Sequence, residues 1–165
     1  MFGGARQGAV LLDLQQVGVE ILYRQQPRLI ASRRLAARLA RGRLDWQKLV
    51  ELDWILGAPN TPMREQVADI FLGAGLTPPT PIVESYSSKL IGEMIVAGEQ
   101  SVSIVPADVA EELVRIAGVA IVPYSFEWTL SPIALFTRIN EAQRMPGRLF
   151  ANSLRKVCQD IYARP

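Results

Sequence analysis

Short apolar segments alternate with amphipathic helical segments along most of this 165-residue chain. Three predicted strands are each followed by a predicted helix, and these strands are 53–56, 82–84 and 101–106. The strands lack a regular alternation of apolar and polar residues, which is typical of strands that are covered on both faces. We therefore predict an α/β domain with a mostly parallel sheet flanked by helices.

The amino-acid composition excludes several classes of catalytic and metal site. The sequence contains no histidine and a single cysteine, Cys158. Hydrolases that use a Ser-His or Cys-His pair are therefore excluded, and a tetrahedral zinc site is not expected. We expect no metal ion, no cofactor and no disulfide, and the lone cysteine favours a reducing compartment.

The beginning of the chain does not have the composition of a signal peptide. Asp13, Gln15 and Gln16 interrupt the apolar residues that a signal peptide needs. The sequence also lacks a run of about 18 uncharged apolar residues, so no membrane span is predicted. We therefore expect a cytoplasmic protein that makes no contact with a membrane.

Positive charge is concentrated in one part of the sequence. Seven arginines and no acidic residue occur between Arg24 and Arg43. One interpretation is a surface that binds nucleic acid or another anionic partner. The other is a solvated connection whose arginines pair with acids elsewhere in the fold, which the lack of interleaved aromatic residues favours.

Polar residues follow three predicted strands at the points where helices begin. These strand-to-helix junctions are 58–61, 85–88 and 105–106. Helix capping alone explains Thr61 and Ser87, because a hydroxyl at this position binds free backbone N–H groups. The alternative is a ligand site, since the carboxyl ends of parallel strands meet at one sheet edge beside helix N-termini. No glycine-rich phosphate loop is present, so a small organic anion is favoured over a nucleotide.

A catalytic interpretation of the same junctions depends on one acidic side chain. Glu84 is the only carboxylate at a junction, and a lone carboxylate is weak support for general acid–base chemistry. Glu111 and Glu112 lie in a predicted helix with Arg115 one turn on, which is typical of a solvated surface. An enzyme or a solute-binding protein on a two-lobed scaffold is therefore kept only as the alternative function.

The order of these motifs resembles the effector-binding domain of LysR-type transcriptional regulators. The stretches that carry the resemblance are "WILGAPNTPMR", "FLGAGLTPP", "VESYSS" and "GEQSVSIVP", in that order between residues 54 and 106. The later stretches "SPIALFTR" and "MPGRLFANSLRKVCQDI" are similar to the final strand and C-terminal helix of that family. The resemblance extends over roughly residues 19–162.

The resemblance implies a type-II periplasmic-binding-protein-like fold, in which two α/β subdomains close over a small effector. It implies a ligand sensor for a small organic acid or a sugar-like molecule, without catalysis. DNA binding in this family belongs to an N-terminal winged helix-turn-helix, and the effector domains assemble into oligomers. The positions that match ligand-binding positions of the family are Pro59, Asn60, Thr61, Arg64, Ser85, Ser87, Val105 and Pro106.

The resemblance also implies a division of the chain. Residues 1–17 would be a leader or hinge remnant, 18–128 would be subdomain II, and 129–165 would be the returning strand and C-terminal helix of subdomain I. The helix-turn-helix and the first half of subdomain I have no counterpart in the sequence, so the second lobe is expected to be incomplete. The family's H-P-L-A motif reads Arg34-Leu35-Ala36-Ala37 here.

The predicted C-terminal helix carries an apolar stripe that an incomplete lobe would leave uncovered. Its members are Leu149, Leu154, Val157, Cys158 and Ile161. An exposed apolar stripe of this length favours association with another molecule. We therefore predict self-association through this helix, as a dimer or a domain-swapped oligomer.

Overall fold

The computed structural model describes residues 17–138 and 144–162. Within these residues the strands are β1 (Val17–Tyr23), β2 (Pro27–Ala31), β3 (Asp53–Leu56), β4 (Val83–Glu84), β5 (Ser101–Pro106), β6 (Ala120–Ile121) and β7 (Ile133–Arg138). The helices are α1 (Arg33–Leu39), α2 (Trp46–Leu49), α3 (Pro62–Gly73), α4 (Ser88–Ala97), α5 (Ala107–Ile116) and α6 (Met145–Tyr162). The predicted leader lies outside the described residues, apart from Val17.

The described residues form two compact units. Residues 24–131 form the first, here called the sheet unit, which contains β2 to β6 and α1 to α5. Residues 17–23, 132–138 and 144–162 form the second, here called the ribbon unit, which contains β1, β7 and α6. The three polar junctions predicted from the sequence all belong to the sheet unit.

The sheet unit has a five-stranded sheet with the order β4-β3-β5-β2-β6. β3 pairs in parallel with both β4 and β5, as predicted. β2 pairs antiparallel with both β5 and β6, so the sheet is more mixed than the predicted mostly parallel sheet. The hydrophobic pattern could not show this, because an apolar run that is buried on both faces carries no information on strand direction.

Helices cover both faces of this sheet, which gives three layers. Alternate residues of each central strand point to opposite faces, so Trp54 and Leu56 of β3 enter one core and Ile55 enters the other. The first core contains residues of α1, α2 and α3, including Phe71. The second contains residues of α4 and α5, including Leu113. The layered arrangement explains why β3 and β5 are buried on both faces along most of their length.

The predicted helix starts agree with the observed caps. Thr61, Ser87 and Pro106 are the N-cap residues of α3, α4 and α5. Pro62 occupies the first turn of α3, where its missing N–H group loses no helical hydrogen bond. No helix in the described part of the chain is long and apolar enough to cross a membrane.

The ribbon unit consists of an antiparallel strand pair and a long helix. β1 pairs with β7 from Val17↔Arg138 to Tyr23↔Ile133, and α6 packs against β1. Arg155 of α6 donates hydrogen bonds to both carboxylate oxygens of Glu20, at 2.7 to 3.0 Å. These hydrogen bonds lower the pKa of the Glu20 carboxyl from its ordinary value.

The predicted exposure of the α6 stripe is correct only in part. Leu149 and Val157 are exposed, but Cys158 is buried at 7% exposure, and so is Ala151 one heptad before it. Because α6 packs against β1, the side of the helix that carries these two residues is covered. The side chain of Ile161 lies outside the described residues.

Candidate functional site

A cavity of about 400 Å³ lies at the carboxyl ends of the parallel strands of the sheet unit. The chain leaves β3 at Gly57, β4 at Ser85 and β5 at Pro106, and residues from all three exits line the cavity. Because β3, β4 and β5 run parallel, these exits meet at one edge of the sheet. The start of α3 and the start of α4 complete the walls.

The walls are mainly apolar and include six polar side chains. The apolar members come from β3, β5, α3, α4 and α5, and they are Leu56, Pro62, Met63, Val67, Ile91, Ile104, Val105, Pro106 and Val109. The polar members are Thr61, Arg64, Ser85, Tyr86, Ser88 and Ser103. An apolar cavity with a small set of convergent polar groups is the usual form of a small-molecule site.

The first junction bends sharply before α3. Asn60 has a φ of 63°, a left-handed conformation that asparagine adopts more readily than most residues. Thr61 is the N-cap of α3, but its hydroxyl does not bond to the first turn of the helix. The Thr61 hydroxyl instead donates to the carbonyl of Ala58 at 3.1 Å, and its side chain also lines the cavity. The first-turn N–H groups of α3 are therefore not capped by this side chain.

The second junction is organised by two serines with different roles. The Ser85 hydroxyl accepts a hydrogen bond from the Ser87 N–H at 3.0 Å and lines the cavity. The Ser87 hydroxyl accepts from the Leu90 N–H at 3.3 Å, so it caps α4. Ser87 thus has the capping role that the sequence left open, while Ser85 faces the cavity.

Arg64 is the cationic side chain of the cavity wall. One of its guanidinium nitrogens donates to the carbonyl of Gly57 at 3.0 Å. The same nitrogen lies 3.4 Å from a carboxylate oxygen of Glu84, and the Arg64 side chain is 20% exposed. Arg64 is therefore held at the junctions by a backbone carbonyl from β3 and a carboxylate from β4.

Tyr86 and Gly57 make a close contact at the mouth of the cavity. A Cβ atom on Gly57 would lie 2.8 Å from the Tyr86 ring, which is closer than side-chain atoms normally approach. The absence of a side chain at Gly57 therefore permits the ring to lie against the backbone. Tyr86 itself is 67% exposed, so this contact is the main constraint on its ring that the structure shows.

Ser103 is a buried polar residue in the floor of the cavity. It lies in β5 and is 1% exposed. Its hydroxyl donates to the carbonyl of Ile55 at 2.7 Å, which connects β5 to its neighbour β3 below the cavity. The hydroxyl has its hydrogen-bond partner within the fold, and this bond helps to hold the two strands together.

Five of the eight residues chosen from the sequence line this cavity. These are Thr61, Arg64, Ser85, Val105 and Pro106. Pro59, Asn60 and Ser87 lie in the same junctions but are not among the lining residues. Gly57, Tyr86 and Ser103 were not chosen, although Tyr86 stands between two chosen serines and Gly57 directly follows a predicted strand.

Two other hollows are slightly larger but less suited to a small molecule. One, of about 520 Å³, lies in the ribbon unit between β7 and α6. The other, of about 510 Å³, lies beside Trp46 and Tyr124 in the sheet unit and is more open to solvent. Neither lies where several strand ends and helix starts converge, which is the common position of ligands in open α/β sheets.

The acidic side chains of the described residues do not form a metal site. Within residues 17–138 and 144–162, no group of three or more His, Cys, Asp or Glu side chains could hold a metal ion. Glu84 is the acidic side chain next to the cavity, and Arg64 pairs with it. The geometry thus offers hydroxyl groups and one guanidinium to a ligand.

One protein-family model matches most of the chain. Residues 6–159 match the model described as the LysR substrate binding domain. The chain belongs to this family. It is thus an effector-binding domain of the LysR type, with the type-II periplasmic-binding-protein-like fold that the resemblance implied. No curated protein sequence matches the chain.

Solved structures with the same fold include several regulators of transcription. A transcriptional regulator from Vibrio parahaemolyticus has a TM-score of 0.69 at 13% identity, over 90% of this chain and 66% of that one. The regulatory domain of MexT, a transcriptional activator in Pseudomonas aeruginosa, has a TM-score of 0.69 at 13% identity, over 86% and 67%. The regulatory domain of CrgA from Neisseria meningitidis has a TM-score of 0.65 at 14% identity, over 89% and 71%.

These structural matches show the fold of this chain and its relative length. At identities of 13% and 14%, the similarity concerns the fold and not the ligand or the target genes. The chain spans 66% of the length of the Vibrio parahaemolyticus protein, which is just under two thirds. The description of the matching model names a substrate binding domain, so the family is one of binding domains.

Proposed function

We propose that the cavity at the strand ends is the effector site, and that the effector is a small organic acid with an apolar body. The single observation that carries the proposal is the cavity itself, whose mainly apolar walls include hydroxyl groups and a guanidinium from the first two junctions and the start of α3, here called the polar end. The eight positions matched through the family contribute Thr61, Arg64 and Ser85 to that polar end. The effector would be sensed without being chemically changed.

The composition of the walls favours an organic acid over a sugar. A sugar carries a hydroxyl on nearly every carbon, and each buried hydroxyl needs a hydrogen-bond partner. Most lining residues are apolar and offer no such partner. An acid with a compact apolar body places carbon atoms against these walls and needs polar partners at one end only.

The polar end of the cavity suits a carboxylate. The guanidinium of Arg64 supplies a positive charge, and the first-turn N–H groups of α3 carry the partial positive charge of a helix N-terminus. The Thr61 hydroxyl bonds to Ala58 and leaves those N–H groups without a side-chain cap. A carboxylate bound here would accept hydrogen bonds from both sources.

Glu84 would lower the affinity of this site for an anionic ligand. Its carboxylate lies 3.4 Å from the Arg64 nitrogen and competes with an anionic ligand for the guanidinium. The same contact occupies the Glu84 carboxylate with the Arg64 guanidinium. An enzyme on this scaffold remains the alternative, and turnover that is lost in Glu84→Gln would support it.

The primary experiment is calorimetry of the chain with matched ligands. Benzoate and hexanoate represent acids with apolar bodies, benzamide is the neutral counterpart of benzoate, and glucose represents sugars. We expect heat of binding for at least one acid, weaker binding of benzamide and none of glucose. Binding of glucose with no binding of either acid would overturn the choice of ligand class.

Two variants test the role of the ion pair. Arg64→Gln should weaken acid binding about tenfold or more, because a hydrogen bond to a charged group contributes about 1.5–3 kcal/mol. Glu84→Gln should strengthen it about two- to fivefold, since a partly exposed ion pair contributes up to about 1 kcal/mol. Glu65→Gln is the matched control for the charge change, because Glu65 lies in the first turn of α3 and outside the lining residues.

The second part of the proposal concerns the regulator as a whole, which would act on transcription. We propose that a winged helix-turn-helix binds DNA and that effector domains associate, as in the family to which the chain belongs. The chain spans 66% of the first regulator compared, so closure of the cleft over the effector would involve further structure. Binding by the present chain is accordingly expected to be weak, because part of the ligand surface stays in water.

A further inference from the structure

An arginine-rich surface lies on α1 and on the turn that follows it. The sequence from 24 to 44 contains seven arginines and no acidic residue. Six of these arginines are exposed, and Arg24 is one of them. The other five lie on α1 or in the turn after it, and we call them the arginine surface; they are Arg33, Arg34, Arg38, Arg41 and Arg43. None of these five side chains lines the cavity, and none belongs to either core of the sheet unit.

Few carboxylates of the described residues approach the arginine surface. Arg34 lies 3.7 Å from Glu99, and both side chains are more than 80% exposed, so this pair contributes little to stability. Within residues 17–138 and 144–162, no carboxylate oxygen lies within 4.0 Å of the other four guanidinium groups. The positive charge of this surface is therefore mostly uncompensated in the described part of the chain.

The spacing of these arginines destabilises α1 through repulsion between like charges. Arg34 and Arg38 are four residues apart in α1, so their side chains are neighbours of like charge. Arg41 continues the same row just beyond the end of the helix. An anionic partner that runs along this row would compensate the repulsion.

We infer that the arginine surface binds the phosphate backbone of duplex DNA without sequence preference. Arg34 and Arg38 are about 6 Å apart along the helix axis. The phosphates of one strand recur about every 3.4 Å along the duplex axis, so the backbone is a dense line of charge that both guanidinium groups can contact. The guanidinium group is also well suited to phosphate, because it can donate two parallel hydrogen bonds.

The surroundings favour duplex DNA over a protein or a membrane as the partner. The apolar residues of α1 point into the core, where Leu35 and Ala36 are buried. The helix therefore offers no aromatic or leucine anchor of the kind that protein interfaces and membrane-surface helices use. A partner that is bound through charge alone fits this surface better.

Single-stranded nucleic acid fits less well than a duplex. Binding of single strands relies on aromatic rings that are free to stack on bases. The nearest candidate rings are Trp46 and Tyr124, which meet edge to face with centroids 5.7 Å apart. Trp46 also meets Phe71 edge to face at 5.4 Å, so this ring is engaged in the core.

The test is fluorescence anisotropy of a labelled 20-base-pair duplex of arbitrary sequence, titrated with the chain at several salt concentrations. We expect binding that weakens linearly in a plot of log affinity against log salt. The triple variant Arg34→Ala/Arg38→Ala/Arg41→Ala should bind at least about tenfold more weakly at low salt, and its slope should fall by about 2 to 3. Alanine favours helix, so α1 is retained, and circular dichroism checks this.

A matched control removes the same charge from elsewhere. Arg144→Ala/Arg148→Ala/Lys156→Ala changes three exposed cations on or beside α6. We expect this variant to keep most of the affinity and the slope. An equal loss of affinity in both variants would overturn the inference, because binding would then depend on the net charge of the chain and not on the arginine surface.

Three further outcomes also contradict the inference. One is the absence of binding to the duplex at 20 mM salt. Another is tighter binding of a single strand of the same length. The third is equal binding of polyglutamate of matched charge, which would indicate an acidic protein as the partner. None of these outcomes bears on the effector site, since that site lies at the strand ends and α1 does not line it.

Discussion

At the scale of single residues, the cavity depends on contacts between groups that are far apart in sequence. Gly57 and Tyr86 touch across the first two junctions, and Arg64 bridges the Gly57 carbonyl and the Glu84 carboxylate. For Thr61, the preference for Thr at helix N-caps predicted the position correctly but not the hydrogen bond of its side chain. It is the N-cap of α3, as predicted, yet its hydroxyl bonds to Ala58.

Gly57→Ala should reduce effector affinity more than it reduces stability. The new Cβ would displace the Tyr86 ring, which lines the cavity but is largely exposed and free to move. We expect a loss of stability below about 1 kcal/mol and a fall in affinity of about fivefold. Urea denaturation measures the first quantity, and calorimetry with the best acid measures the second.

The control for this variant is Gly73→Ala. Gly73 lies at the end of α3, and a Cβ there would meet no atom within 4 Å. It should leave acid binding unchanged. A double variant, Gly57→Ala/Tyr86→Ala, should show no additional loss beyond Tyr86→Ala, because the clash is then removed. An additive loss would mean that Gly57 acts through a contact other than the Tyr86 ring.

At the scale of elements, the ribbon unit is held by α6 on β1. The contact between Glu20 and Arg155 connects residues 135 positions apart, and Arg155 also donates to Asn152 at 2.7 Å. A hydrogen bond from the guanidinium lowers the pKa of Glu20, so the charged carboxylate is favoured in the folded state. The attachment of the helix to the strand is therefore coupled to pH.

The stability that this pair provides should decrease on acidification. Because the folded pKa lies below the unfolded value, the contribution is present above the ordinary Glu range and is lost as pH falls through the folded pKa. Thermal unfolding between pH 7 and pH 3 should show a smaller decrease in Tm for Glu20→Gln than for the native chain. Glu111→Gln, an exposed residue of α5, should leave the pH dependence as it is. Identical pH profiles for Glu20→Gln and the native chain would contradict this role.

Hydrophobic patterns predicted the positions of several elements but not how these elements pair and pack. The patterns located β3, β4, β5 and the helices after them, because periodicity and caps are local properties. They did not reveal that β2 runs antiparallel to β5, since pairing direction depends on the path of the chain between strands. They also did not show that Cys158 is buried while Val157 is exposed.

At the scale of the whole molecule, one face of α6 is apolar and exposed. Phe150 and Val157, seven residues apart, are 64% and 52% exposed, and Leu149 beside them is 59% exposed. Residues seven apart lie on the same side of a helix. Because this side adjoins the buried side that carries Ala151 and Cys158, α6 has a wide apolar surface of which only part is covered.

We expect the chain to associate through this exposed face. Light scattering after gel filtration at micromolar concentration should give at least twice the 18.3 kDa mass of one chain. Phe150→Lys/Val157→Lys should shift the distribution to the monomer, because two charges would have to be buried. Gln159→Lys adds a charge at an exposed polar position on the opposite side of α6 and should remain associated. A monomeric native chain would contradict the prediction.

The sequence by itself determined the order and type of most elements and the three polar junctions, because these depend on residues that are close together along the chain. It also determined the family, because the order of the motifs along the chain is a property of the sequence. The tertiary structure decided which junction side chains face the cavity. It placed Thr61, Arg64 and Ser85 on the wall and Asn60 and Ser87 in local turns and caps. The physical reason is distance along the sequence. The cavity is made by strand ends that meet only after the sheet forms, and no local pattern encodes which side chains then face one another.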